Sequence, residues 1–262
     1  MKLIKIPFSG GTLNVPKGAE EAPDKIVEAM KSIYLDELGR KVKFNVERVQ
    51  VNSTNIEETN ENIYKHLQDN DDFPVVVGGD HSITYSCFRA FSKQFENPGI
   101  IIFDAHPDTE NNFSPPSHED FLKVLIEEKT LKPENVILVG IRNWHEKELS
   151  YLKEKKIRYF KMKDIFEEEL NEVCDSIMYV AKNFGSLYIS VDIDVLDPAF
   201  APGTGYKEAG GMSTRELLYF IQRLKKLKNY KMADLVEVNP KIDVTDLTVK
   251  AAAKIITELA PE

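Results

Sequence analysis

The chain has 262 residues, of which 42% are hydrophobic and 29% are charged. A chain of this length can bury one sizeable hydrophobic core, and a single α/β domain of this size is common. Its formal net charge of −9 argues against nucleic acids and anionic membranes as partners, and mildly favours small cationic molecules. No apolar run approaches the length of a transmembrane helix, and no apolar signal region follows Met1.

The two cysteines, Cys87 and Cys174, lie far apart and have the spacing of neither a metal site nor a redox motif. We expect both to be buried as small hydrophobic side chains. This cysteine usage is typical of a reducing compartment, so the sequence predicts a cytoplasmic protein.

Short apolar runs alternate with amphipathic stretches along the whole chain. The apolar runs predict strands at 2–6, 43–51, 74–78, 99–104, 135–140, 157–160, 186–192 and 233–238. The amphipathic stretches predict helices at 22–38, 55–69, 82–95, 118–128, 146–154, 168–183, 213–227 and 245–259. This regular alternation predicts an α/β fold with a mostly parallel sheet flanked by helices on both faces, in one domain over 1–262.

Two of the predicted helices begin with capping residues. Ser213 stands three residues before Glu216, which is the spacing of a capping box, and Thr54 stands three residues before Glu57.

Acidic residues and histidines follow four of the predicted strands. The four clusters are Gly78-Gly79-Asp80-His81-Ser82, Asp104-Ala105-His106-Pro107-Asp108, Asp192-Ile193-Asp194 and Glu237-Val238-Asn239-Pro240. In a parallel sheet, functional groups gather beyond the carboxyl ends of the strands, so we expect these clusters to meet. Burying so many carboxylates without counter-charge is costly, and two divalent cations would neutralise four aspartates. The sequence therefore predicts a dinuclear metal site.

The donor atoms indicate which metals fit. Asp104, His106 and Asp108 alternate with spacers, so an extended backbone would point all three side chains to one side. Oxygen and nitrogen donors suit manganese and, less selectively, zinc, cobalt or nickel. Taken alone, each pattern has an ordinary alternative: a solvated turn for this motif, and a hydrogen-bonded core residue for His81. Asp197, which precedes Pro198, is expected to cap a turn.

Three of these motifs, in this order and at these separations, resemble the metal-binding motifs of the ureohydrolase family of arginases and agmatinases. They are Gly78 to Ser82, Asp104 to Asp108 and Ser190 to Pro198. Pro202 to Gly205, Gly210 to Glu216 and Asp234 to Pro240 agree as well, and the resemblance covers nearly the whole chain. It implies a three-layer fold around one eight-stranded parallel sheet, and a pair of manganese ions.

Carried over position by position, the resemblance assigns His81, Asp104, Asp108 and Asp192 to one ion. It assigns His106 and Asp194 to the other ion, with Asp104 and Asp192 shared. The family reaction hydrolyses a guanidino compound to urea and an amine. The resemblance implies that Asp108 aims the attacking water, Glu237 binds the guanidinium group and His118 acts as general acid or proton shuttle. The alternative for His118 is a purely structural role, in which its segment caps the N-terminus of the following helix. Acidic residues such as Glu119 and Asp120 are ordinary in a first helical turn.

The substrate is left open by the sequence, with agmatine favoured. In arginases, an asparagine two residues beyond the last aspartate of the Asp-x-His-x-Asp motif helps to bind the substrate α-carboxylate, and here Glu110 holds that position. The twelve-residue separation from His106 to His118 is also similar to some bacterial agmatinases. Agmatine would yield putrescine, a step of polyamine biosynthesis. Arginine, guanidinobutyrate and formiminoglutamate stay open as substrates.

Rivals of another class are a catalytically silent relative whose metal site supports folding or assembly, and a metal-dependent phosphatase or deacetylase. Relatives suggest a homotrimer or a homohexamer. Outside the motifs, Trp144 is expected to line the substrate mouth or to pack beneath it, and His66 and His145 are expected at the surface.

Overall fold

The structure is a computed structural model that describes residues 1–69 and 72–261. Eight strands form one sheet in the order β2-β1-β3-β8-β7-β4-β5-β6, and every pair of neighbours is parallel. The strands are β1 (Lys2–Ile6), β2 (Asn45–Arg48), β3 (Pro74–Gly78), β4 (Pro98–Phe103), β5 (Val136–Ile141), β6 (Arg158–Lys161), β7 (Ser186–Asp192) and β8 (Tyr230–Val236). The predicted sheet is confirmed.

Nine α-helices occur in the described part of the chain. They are α1 (Ala22–Met30), α2 (Ile56–Leu67), α3 (Ile83–Gln94), α4 (Phe121–Glu127), α5 (Glu146–Lys155), α6 (Met162–Glu167), α7 (Leu170–Ala181), α8 (Thr214–Leu224) and α9 (Leu247–Leu259). None of the described helices is long and apolar enough to cross a membrane.

The sheet separates two hydrophobic cores because successive side chains of a strand point to opposite faces. In β3, Val75 and Val77 belong to the core under α1, α6, α7, α8 and α9, whereas Val76 belongs to the core under α2, α3, α4 and α5. All five residues of β3 are buried, as expected for a strand covered on both faces. Helices therefore flank both faces of the sheet, and the predicted three-layer arrangement is confirmed.

The strand order brings the four predicted clusters to one place. They follow β3, β8, β7 and β4, which are consecutive in the middle of the sheet. The last strand along the chain, β8, is inserted between β3 and β7. Because parallel strands have their carboxyl ends at the same edge, all four clusters open onto the centre of that edge.

Several predicted boundaries are wrong, each for a local reason. The helix predicted at 22–38 ends at Met30. The last part of the predicted range forms a turn instead, in which the carboxylate of Asp36 accepts hydrogen bonds from the backbone N–H groups of Leu38 and Arg40. The helix predicted from residue 118 begins at Phe121. The carboxylate of Asp120 binds the Ser117 N–H at 2.7 Å and thereby keeps the preceding segment out of the helix.

Other differences are smaller. The cap of α2 is Asn55, one residue beyond the predicted Thr54, and it accepts from the N–H of Glu58 at 3.0 Å. The strand predicted at 43–51 is confined to β2, at the edge of the sheet. The short helix α6 was not predicted. The expected burial of Cys87 and Cys174 is confirmed.

The predicted capping box of α8 is confirmed and allows a stability test. The Ser213 Oγ accepts from the N–H of Glu216, and the Glu216 carboxylate accepts from the N–H of Ser213 at 2.7 Å. Ser213→Ala should therefore lower the free energy of unfolding by about 1 kcal/mol in urea denaturation. Ser150→Ala, which removes an exposed hydroxyl within α5, should change it by less than about 0.5 kcal/mol. Equal effects of the two substitutions would contradict a capping role for Ser213.

Candidate active site

The first group of side chains surrounds His81, which lies between β3 and α3 and is fully buried. Its Nδ1 lies 3.2 Å from Asp104 Oδ2, 3.1 Å from Asp108 Oδ2 and 3.2 Å from Asp192 Oδ2. These donors come from the ends of three strands, so the tertiary fold assembles them. His81, Asp104 and Asp192 are close enough together to hold one metal ion.

A second group lies beside the first and shares Asp104 with it. His106 Nδ1 lies 3.0 Å from Asp194 Oδ2 and 3.5 Å from Asp104 Oδ1. Asp104, His106 and Asp194 are also close enough together to hold an ion. The structure therefore brings together all six residues that the sequence singled out as ligands, in two adjoining groups.

Three aspartates divide their two carboxylate oxygens between the backbone and the site. Asp104 Oδ1 accepts from the N–H of His106 at 2.7 Å, Asp192 Oδ1 from the N–H of Asp194 at 2.8 Å, and Asp194 Oδ1 from the N–H of Ala105 at 3.0 Å. The Oδ2 atom of each carboxylate faces a histidine Nδ1. The loops after β4 and β7 are thereby held to each other, and each of the three carboxylates keeps one oxygen facing the two candidate metal-binding groups.

The electrostatics of this cluster fit a cation. His81 Nδ1 and Asp104 Oδ2 are buried and have no hydrogen-bond partner. Burial raises the pKa of Asp192 well above its usual range, and the charges of Asp194 and Asp104 raise it further. Burial and the charge of Asp104 likewise raise the pKa of Asp108 to about 7. Carboxylates this crowded resist full ionisation unless positive charge lies among them, and the unpartnered nitrogen and oxygen are donors that a divalent metal would use.

Glu237 lies beside the metal-type cluster, immediately after β8. Its backbone has a positive φ of 63°, and its N–H donates to the carbonyl of Gly79 at 2.8 Å. Its Oε1 accepts from the backbone N–H of His81 at 2.7 Å and lies 3.0 Å from His118 Nδ1. Burial raises the pKa of Glu237, but the positive charge and hydrogen bond of His118 outweigh burial and lower it. Glu237 is therefore held as a buried anion.

A loop after β1 holds His118 from the other side. The N–H of His118 donates to the carbonyl of Gly11 at 3.1 Å, and the N–H of Leu13 donates to His118 Nε2 at 2.9 Å. This loop approaches closely because Gly79 has no side chain: a Cβ there would lie 1.6 Å from the carbonyl oxygen of Phe8. Leu13 was not among the predicted site residues, because it acts through its backbone and its apolar side chain gives no indication of a role in the site.

A pocket of about 100 Å³ opens above these groups. Its lining includes the side chains of His106, Asp108, Glu110, His118, Glu119, Asn143, Trp144, His145, Glu148, Asp192, Asp194, Thr204, Tyr206 and Glu237. Carboxylates are half of this set, and no lysine or arginine is among the lining residues that the structure describes. The pocket therefore favours a cationic ligand.

Of the remaining residues that the sequence singled out, Glu110, Trp144 and His145 line this pocket, whereas His66 and Asp197 are not in its lining. Glu110 lines it, with Oε2 lying 3.7 Å from Nε2 of His145. Trp144 lines the pocket and also packs edge-on against Tyr159. The two roles considered for this residue, lining the pocket and packing, therefore both apply. His145 is exposed at the rim, as predicted, whereas His66 lies partly covered beside Glu47. Asp197 caps a turn, as expected, by accepting from the N–H of Ala199 at 2.9 Å.

Tyr206 is a pocket residue that the sequence did not single out. Its hydroxyl donates to Glu119 Oε1 at 2.8 Å, and its ring stacks on His118 at a centroid distance of 6.1 Å. It also lies 5.3 Å from the ring of His106. Only its position directly after the Pro202 to Gly205 motif could have indicated from the sequence that Tyr206 lies near the site.

Comparison with known proteins agrees with this geometry. A model of the arginase family matches residues 1–260. An arginase of Staphylococcus aureus strain COL is 36% identical over 203 residues, which are 72% of this chain and 67% of that protein. An agmatinase of Bacillus cereus is 37% identical over 196 residues, which are 74% of this chain and 64% of that protein.

A formimidoylglutamase of Bacillus subtilis is 30% identical over 269 residues, covering 97% of this chain and 84% of that protein. Its crystal structure superposes with a TM-score of 0.93 at 28% identity, over 98% of this chain and 85% of the other. The chain therefore belongs to the arginase family, the ureohydrolases, whose members hydrolyse C–N bonds of guanidino and amidino compounds. The three relatives carry different activity names, so family membership alone does not select a substrate.

Proposed function

We propose that this protein is a binuclear manganese hydrolase that cleaves agmatine to urea and putrescine. The observation that carries the proposal is the pair of His/Asp groups sharing Asp104, at the floor of a pocket lined by carboxylates. Arginase, guanidinobutyrase and formiminoglutamase activities are the alternatives within the family. A catalytically silent metal-binding relative is the alternative of another class.

The proposed ligand sets are those that the resemblance implies. One ion is held by His81, Asp104, Asp108 and Asp192, and the other by His106 and Asp194 together with the shared Asp104 and Asp192. The three Nδ1 to Oδ2 distances of 3.1–3.2 Å around His81 support the first set. When bound, the two ions supply Lewis-acid activation of a water molecule. Manganese is proposed because carboxylate and imidazole donors suit it and no thiolate is present in either group.

The protein side chains would bind and orient the substrate above this floor. Glu237 lines the pocket as a buried anion, and a carboxylate–guanidinium contact is charge-assisted. Asp108, also in the lining, can accept a hydrogen bond from the attacking water and aim it at the guanidinium carbon. The chain therefore presents one carboxylate for the substrate and one for the nucleophile.

His118 would hold the proton that the departing amine needs. Burial lowers its pKa, but the charge of Glu237 outweighs burial and raises the pKa to about 10, so the ring carries a proton at neutral pH. The Leu13 peptide offers Nε2 both its N–H, at 2.9 Å, and its carbonyl oxygen, at 3.2 Å. His118 thus keeps a hydrogen-bond partner before and after proton transfer, which suits a general acid.

The acidic pocket supports agmatine as the substrate. Arginine carries an α-carboxylate at the end where agmatine has only an ammonium group. Glu110 and Glu119 would repel that carboxylate and attract the ammonium. Like charges brought together in a partly desolvated site cost a few kcal/mol, which corresponds to about a hundredfold preference or more.

We also propose that residues 1–262 form a single domain, that the protein acts in the cytoplasm, and that it assembles as a homotrimer or homohexamer. The one sheet and the two free buried cysteines support the first two statements. The assembly follows from the family resemblance alone, and light scattering of the purified protein would test it.

Metal stoichiometry tests the binuclear centre. The protein equilibrated with manganese should bind two ions per chain, measured by elemental analysis after desalting. His81→Asn and Asp194→Ala should each lose mainly one ion, whereas Asp104→Ala should lose both because Asp104 belongs to both groups. His145→Asn, at the pocket rim, is the matched control and should keep two ions. A single ion in fully active protein would refute the binuclear mechanism.

Turnover tests the role of His118. His118→Asn should lower kcat by about a hundredfold, because removal of a general acid typically costs that much. His145→Asn removes the other imidazole of the lining that belongs to neither metal group, and should change kcat by less than about threefold. A His118→Asn enzyme within a few-fold of the parent would return this residue to a purely structural role.

Specificity constants test the substrate assignment. The parent kcat/KM for agmatine should exceed that for arginine by about a hundredfold, measured as urea release with manganese present. Glu110→Gln should narrow this ratio by about tenfold, and Glu154→Gln, an exposed position on α5, should leave it unchanged. An arginine value equal to or above that of agmatine would end the agmatinase proposal. Formamide release from formiminoglutamate, or no release of urea from any guanidino compound, would favour the corresponding alternatives.

A further inference from the structure

A second buried carboxylate network lies beneath the site and takes no part in the mechanism above. Asp234, in β8, is fully buried and accepts hydrogen bonds from three hydroxyl groups. Thr84 Oγ1 and Tyr188 OH donate to its Oδ2 at 2.7 and 2.6 Å, and Ser190 Oγ donates to its Oδ1 at 2.6 Å. A buried carboxylate is tolerated when it is this fully hydrogen-bonded.

One of the three hydroxyls connects this network to the site. Ser190 Oγ also lies 2.9 Å from Nε2 of His81. A serine hydroxyl has one proton, and Ser190 gives it to Asp234, so the proton of the second bond comes from Nε2 of His81. In neutral His81 the lone pair is thereby assigned to Nδ1, which is the atom that faces Asp104, Asp108 and Asp192 without a hydrogen-bond partner.

The other histidine of the site is held differently. His106 Nε2 lies 3.6 Å from Glu208 Oε1, and the side chain of His106 is 19% exposed towards the pocket, compared with 1% for His81. The ring of His81 is therefore oriented by an internal chain of hydrogen bonds, whereas Nε2 of His106 faces a partly exposed carboxylate at a longer distance.

From this chain of contacts we infer that Asp234 and Ser190 are positioning residues for the metal ion that His81 would bind. Asp234 orients the Ser190 hydroxyl, and that hydroxyl holds the imidazole so that Nδ1 presents its lone pair to the ion. The inference rests on the proposed metal centre. Partners of this kind, one step removed from the metal, typically change metal affinity by ten- to a hundredfold when they are replaced.

The network provides matched variants for a test. Ser190→Ala removes a hydroxyl that touches both Asp234 and His81. Tyr188→Phe and Thr84→Val each remove a hydroxyl that is equally buried and binds the same carboxylate, but that does not hydrogen-bond to the His81 ring. The backbone N–H of Thr84, which donates to the His81 carbonyl at 3.1 Å, is kept in Thr84→Val. Asp234→Asn keeps the shape and places an amide donor near Ser190, so that the serine would donate to Nε2 and move the His81 proton to Nδ1.

Manganese dissociation constants would be measured for the holoprotein by titration followed by electron paramagnetic resonance of the free ion, with thermal unfolding of each metal-free variant in parallel. Ser190→Ala should weaken one of the two ions by ten- to a hundredfold and leave the other within about threefold. Asp234→Asn should weaken the same ion at least as much. Tyr188→Phe and Thr84→Val should lower thermal stability while both ions bind within about threefold of the parent.

The outcomes separate the inference from the proposed function. If Ser190→Ala and Asp234→Asn keep both affinities, or if Tyr188→Phe weakens manganese as much as Ser190→Ala does, the positioning role is overturned while the metal centre stands. If the parent protein binds no manganese, the proposed centre fails and this inference fails with it. Should Ser190→Ala not fold, the isosteric Asp234→Asn decides between the same two results.

Discussion

The structure depends on one electrostatic constraint: four aspartates with two histidines are concentrated at the buried centre of a sheet edge. Three of these aspartates each use one oxygen to hold a backbone N–H and direct the other towards a histidine. The same carboxylates therefore shape the loops and form the cage of oxygen atoms around the candidate metal site. The bond from the N–H of Ala105 to Asp194 also ties the loop after β4 to the loop after β7, so the fold itself positions these side chains.

The surrounding elements extend this constraint outwards. Glu237 accepts from the backbone N–H of His81 and pairs with His118, which in turn is held by the loop after β1. Beneath the cage, Asp234 is hydrogen-bonded by hydroxyls from α3 and β7. Negative charge thus lies below, within and above the cage. A guanidinium substrate and two divalent cations are the positive partners that such an arrangement accommodates, and both belong to the proposed function rather than to the fold itself.

Much of this architecture could be predicted because it depends on patterns among residues that are close together in the sequence. The buried apolar runs and the amphipathic stretches between them predicted eight strands and a sheet covered on both faces, and the Ser213 capping box was visible in four residues. The motifs around His81, Asp104 and Asp192 predicted a shared site, since residues that follow parallel strands must emerge at one edge. Errors arose where a side chain accepts from backbone N–H groups: Asp36 holds a turn within the range predicted as helix, and Asp120 delays the start of α4.

The sequence by itself determined which strands are followed by acidic residues and histidines, which residue types meet at the sheet edge, and the family to which the chain belongs. The tertiary structure alone decided that β8 enters between β3 and β7, and that Asp234 is linked to His81 through Ser190. It also decided that Leu13 hydrogen-bonds to His118 and Tyr206 to Glu119. The physical reason is that periodicity and spacing report what a residue does within a few neighbours along the chain. Hydrogen bonds between residues more than 100 positions apart, such as Leu13 with His118 and His81 with Ser190, depend on strand order and loop closure, which only the packed chain defines.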